Sequence, residues 1–122
     1  MSESIHIRAG FTIEKENVEQ YKKLMKEMSD RVETNEPNTL MYEAYFNVDG
    51  TKCMVHETYL DSKAVLLHNE SIASKTILPR IFNISKLDTL DVYGKPDDEL
   101  KKLISRFNSQ VFNLYSGFNR KI

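Results

Sequence analysis

Apolar and polar residues alternate near the start of the chain. Ile5, Ile7, Ala9, Phe11 and Ile13 fall on one face, and His6, Arg8, Gly10 and Thr12 on the other. A period of two predicts a half-buried strand over 5–13. The period then lengthens. Val18, Tyr21, Leu24, Met25, Met28 and Val32 recur every three or four positions, which makes one apolar stripe on a helix near 17–34. Asn17 and Gln20 have the spacing of a capping box. Pro37 ends the helix, because its ring and missing N–H cannot continue the ladder.

Asp49-Gly50 is a hairpin signal, since both positions tolerate positive φ. It joins predicted strands 39–48 and 51–59. Read as a two-residue turn, it sets Val48 against Thr51, Phe46 against Cys53, Ala44 against Val55, Tyr42 against Glu57 and Leu40 against Tyr59. The opposite face pairs Met41, Glu43, Tyr45 and Asn47 with Thr58, His56, Met54 and Lys52. Two methionines and a tyrosine there call for cover by something else. Asp61-Ser62 starts a helical stretch over 62–84, with a break near Ser71–Lys75 and Pro79 early in its second part. Residues 86–93 alternate again, as a fourth strand. Gly94-Lys95-Pro96 is a turn before a capped amphipathic helix at 97–107. The tail from Val111 to Phe118 is apolar and aromatic and has to dock.

The order β-α-β-β-α-β is the split βαβ pattern of a ferredoxin-like α+β domain. Its antiparallel sheet carries helices on one face and leaves the other needing cover. A second copy of the same sheet would supply it, so a homodimer of the dimeric α/β-barrel type is expected. Residues 1–122 read as one domain, with a core over about 5–94 and a C-terminal helix and tail over 95–122.

Composition narrows the function. A net charge of −1 over 122 residues offers no basic field for nucleic acid. No apolar run reaches the ~20 residues needed to span a bilayer, and Met1-Ser2-Glu3-Ser4 lacks the character of a signal peptide. One cysteine, Cys53, makes neither an internal disulfide nor a thiolate metal site. A cytoplasmic protein is expected, with no membrane partner. No phosphate loop, nucleophile elbow or dinucleotide fingerprint is present.

The stretch from Cys53 to His68 resembles the antibiotic biosynthesis monooxygenase (ABM) domain family through Glu57, Tyr59, Asp61, Ala64 and His68. Glu36-Pro37-Asn38-Thr39-Leu40-Met41-Tyr42 resembles that family's approach to its second strand. The resemblance covers residues 5–94. It implies a dimeric α/β barrel with a pocket between sheet and helices in each subunit. It also implies a cofactor-independent monooxygenase acting on a small aromatic, phenolic or quinol-like molecule. The alternative is a non-catalytic binding or structural module of the same fold. Haem-degrading relatives use a pocket tryptophan, and this chain has none.

Glu57 is the unusual residue on its face, among Tyr42, Ala44, Val55 and Tyr59. A carboxylate there needs a partner. Either it accepts hydrogen bonds from a helix N-terminus or a tyrosine, or it pairs with His68 and orients the ring. His68 is either a half-buried helix histidine or the pocket base. Tyr59 and Tyr42 are candidates to bind ring oxygens, and Phe82 to stack on the substrate. His56 faces Glu43 as a cross-strand pair. No third ligand converges there, so no metal is expected, and with no recognisable cofactor motif no cofactor is expected.

Overall fold

The computed structural model describes residues 3–120. The elements run β1 (Ile5–Ile13), α1 (Val18–Asn35), β2 (Thr39–Phe46), β3 (Lys52–Tyr59), α2 (Ser62–Glu70), α3 (Ile72–Thr76), α4 (Leu78–Asn83), β4 (Ser85–Tyr93), α5 (Asp98–Ile104) and β5 (Ser109–Phe112). The sheet order is β2-β3-β1-β4-β5. β1 is central and antiparallel to both β3 and β4. This is the expected α+β, ferredoxin-like, split βαβ arrangement. The sheet is open within the chain.

The alternation in β1 sends its odd-numbered residues into the core. Ala9, Phe11 and Ile13 pack with the α1 stripe of Val18, Tyr21, Leu24, Met25, Met28 and Val32, and with Ile77 and Ile81 of the later helices. Ile5, Ile7, Tyr59 and Val92 pack with Ala64, Val65, Leu100 and Ile104. Each large side chain so buried contributes about 1.5–3 kcal/mol.

The local predictions differ in outcome. Asp61 caps α2 through Ala64 N at 2.9 Å, and Asp97 caps α5 through Leu100 N at 2.9 Å. Asn17 makes no side-chain cap. It sits in the helical region itself, at the end of a 3-10 turn over Lys15–Asn17, and so lacks the extended backbone an N-cap uses. The expected break after residue 70 is a re-start: Ser71 accepts from Ser74 N at 3.1 Å and opens α3.

The hairpin keeps its expected register with a longer loop. Gly50 N donates to Asn47 O and Asn47 N to Lys52 O, both at 3.1 Å, so the turn spans Val48 to Thr51 about the same centre. Gly50 there has φ of 79°, and a Cβ would lie 2.6 Å from Val18 Cγ1. Tyr42–Glu57, Ala44–Val55 and Phe46–Cys53 pair as expected, but the register shifts between Thr39 and Met41. Thr39 therefore faces Tyr59, and Leu40, expected there, bulges out 56% exposed. The tail docks as β5, parallel to β4, with Phe112 stacked on Tyr93 at 5.1 Å. Beyond it Leu114, Tyr115 and Phe118 stand exposed. No helix among the described residues is long and apolar enough to cross a membrane.

Candidate active site

Between the sheet and the helix layer lies an apolar cavity of about 110 Å³. β1 and β4 supply Ile7, Ala9 and Leu90 to its walls, and α4 supplies Leu78 and Phe82. All five residues singled out from the sequence, Tyr42, Glu57, Tyr59, His68 and Phe82, line it. The physical reason is layer geometry. Alternation puts Tyr42, Glu57 and Tyr59 on the helix-facing side of β2 and β3, and α2 returns over that side with His68 in its last turn.

The hydrogen bonds are distributed differently from the Glu57–His68 pair considered above. His68 Nδ1 meets Glu36 Oε1 at 2.7 Å, with both side chains 10% exposed. Glu57 instead accepts a hydrogen bond from the Tyr59 hydroxyl, two residues along the same strand face. The tyrosine alternative for Glu57 thus holds, and Glu36 takes the position at His68.

Glu36 reaches the ring because of the turn after α1. Thr39 N donates to Glu36 O at 3.0 Å and Thr39 Oγ1 to Glu36 Oε1 at 3.0 Å. Burial opposes its charge, but the contacts with His68, Thr39 and Ser71 outweigh that and hold its carboxyl below the ordinary range. An ionised carboxylate can only accept, so Nδ1 of His68 is the donor to Glu36, and Nε2 is the ring nitrogen outside that bond. The ring is held between two others, with Tyr42 and Tyr59 centroids each 5.6 Å away.

Glu57 has the opposite character. It is buried, and burial raises its pKa against the moderating effects of His68 and the Tyr59 hydrogen bond. Burial, with Glu57 next to it, also pushes the Tyr59 hydroxyl well above its ordinary range. Tyr42 moves the same way, again chiefly through burial. The site therefore holds one carboxyl whose pKa is lowered and one whose pKa is raised. Such a split marks acid–base chemistry.

Sequence reading missed Glu36 and Asn69, both at the site. A signal for Glu36 existed. It is the C-cap of α1, where the helix dipole disfavours a carboxylate and the last turn holds no basic residue. A carboxylate so placed needs a donor from elsewhere. Phe82 stands at the rim, stacked on Phe11 at 6.1 Å and partly exposed. His56 lies on the other face of the sheet, paired across strands with Glu43 as expected and packed against the Tyr45 ring at 4.9 Å. Cys53 is buried, and burial raises its thiol pKa.

No protein-family model and no curated protein matches the sequence. Solved structures do match. MupZ from Pseudomonas fluorescens superimposes with a TM-score of 0.83 at 24% identity, over 98% of this chain and 96% of that one. A proposed antibiotic biosynthesis monooxygenase from Caulobacter crescentus CB15 gives 0.66 at 16% identity, over 75% of this chain and 86% of that one. Another from Nitrosomonas europaea gives 0.64 at 14%, over 70% and 83%. The chain has the ABM-like fold, a fold it shares with proposed monooxygenases.

Proposed function

We propose that the cavity takes a small aromatic, phenolic or quinol-like molecule and that the chain oxidises it with dioxygen, without a cofactor. The observation that carries this reading is the Glu36–His68 pair opening onto an apolar cavity that Tyr42, Tyr59 and Phe82 also line. His68 Nε2 removes the substrate hydroxyl proton. The resulting anion gives one electron to dioxygen, and recombination forms a carbon–oxygen bond. Loss of water from the hydroperoxide leaves a new carbonyl. A hydroquinone and dioxygen thus yield a hydroxyquinone and water, so atoms and electrons balance. A dry pocket, a positioned base and an oriented ring supply the catalysis.

Volume restricts the substrate. An apolar cavity of about 150 Å³ holds benzene, and this one measures about 110 Å³. One ring enters with a shift of Phe82 or Phe107 at the rim, and a fused three-ring substrate does not. Oxygen uptake with single-ring hydroquinones is expected to exceed the spontaneous rate severalfold, and uptake with anthrones is not. Uptake no faster than spontaneous oxidation would refute the enzyme. Saturable binding of the same hydroquinones without uptake would instead support the non-catalytic module.

The same reading includes a homodimer. The face of the sheet away from the helices carries Tyr45 and Met54, both exposed, and beside them Met41 and His56. The exposed tail residues Leu114, Tyr115 and Phe118 add apolar surface. Closing two such sheets face to face makes the α/β barrel. Sedimentation at micromolar concentration is expected to show twice the 14.2 kDa chain mass. A clean monomer would rule the dimer out.

A further inference from the structure

The oxidation above uses one half of the site. It needs a base, and Glu36 and His68 provide one. Glu57 has no part in it, yet a carboxyl buried this deeply is costly and must be held in place. It projects from the sheet into the cavity that His68 enters from the helix layer, and both line the same walls as Tyr42 and Tyr59. The Tyr59 hydroxyl occupies Oε1 of Glu57, which leaves the other oxygen to carry a proton.

We propose that this pocket has a second, redox-neutral activity: keto–enol tautomerisation of a small cyclic ketone. His68 acts as the base and Glu57 as the proton donor. The proposal rests on the reading of the cavity as a single-ring site with His68 as its base. His68 Nε2 takes a proton from the carbon next to the carbonyl. That C–H pair becomes the new carbon–carbon double bond. The carbonyl π pair takes the proton from Glu57 and becomes the enol hydroxyl. The reverse step returns a proton from His68 to carbon and one from the enol to Glu57. Nothing is oxidised, and no co-reactant is needed. Burial raises the Glu57 pKa, which is the direction a proton donor needs. An acid and a base placed across one substrate each contribute about 10²–10⁴ in rate.

The test is proton exchange under argon in deuterated buffer, with cyclopentanone as probe and loss of its α-proton signal followed by NMR. Wild type is expected to exchange well above buffer. His68→Ala should fall to the buffer rate, and Glu57→Gln by about tenfold or more. The pH profile separates a donor from a merely structural residue. Wild-type exchange should decline as pH rises through the elevated Glu57 pKa, and Glu57→Gln should lose that decline. Exchange no faster than buffer overturns the proposal. So does a Glu57→Gln protein with wild-type rate and profile. Oxygen uptake in air, measured on the same samples, keeps the two readings apart. Uptake without exchange removes the tautomerase alone, and exchange without uptake removes the oxygenase alone.

Discussion

Replacing His68 with alanine is expected to slow oxygen consumption by about 10²–10⁴, the usual share of a general base. The KM for a hydroquinone should change little, because the ring is held chiefly by the apolar walls and the base acts on the reacting proton. Glu36→Gln should fall between wild type and His68→Ala. The amide can still meet His68 Nδ1, but it removes the negative charge that fixes the donor on Nδ1 and steadies an imidazolium. The double variant should be no slower than His68→Ala, since the two residues act as one unit. Glu36 is held below the ordinary carboxyl range, so its stabilising contact persists through neutral pH and is lost as pH falls through that lowered value. An oxygen electrode and a circular dichroism check of folding decide the matter. If Glu36→Gln keeps wild-type kcat while His68→Ala loses it, Glu36 has no positioning role.

The elements with a clean period were legible because one face of each is buried. β1 and α1 read directly from Ile5–Ile13 and from the Val18-to-Val32 stripe, and both lie in the core as expected. The hairpin register survived a wrong loop length. A two-residue and a four-residue loop about the same centre leave every pair facing the same partner, and side-chain faces change only on a one-residue slip. The bulge at Leu40 is such a slip, confined to the start of β2. It directly follows the Glu36–Thr39 turn, which no periodicity reports. β5 was missed for a related reason. It is four residues long and holds its place by backbone pairing to β4, with little side-chain burial to imprint a pattern. The cavity walls were largely legible, since Tyr42, Glu57 and Tyr59 share a strand face. The wiring was less so. Glu36 and His68 lie 32 residues apart, and their pairing depends on where the α1 C-terminus meets the last turn of α2.

Ile81→Ala is expected to cost about 2–5 kcal/mol of folding stability, the range for emptying a large buried aliphatic site. Ile81 is 0% exposed and packs in the cluster built from β1, α1 and β3. It sits on α4, a helix of six residues. So short a helix has almost no stability of its own and persists through what it buries. Against a typical total of about 5–15 kcal/mol, the loss is large. A chain of this length should melt roughly 10–20 °C lower. Function should suffer beyond the stability change, because α4 also carries Leu78 and Phe82 on the cavity wall. Ile72→Ala is the control. That side chain is 73% exposed one helix earlier, and its loss should stay within about 0.5 kcal/mol. Urea unfolding of both variants, with equal slopes, gives the comparison. Equal midpoints would mean that Ile81 does not anchor α4 to the sheet. A destabilised Ile81→Ala with unchanged turnover below its melting point would mean that the cavity wall does not depend on that anchor.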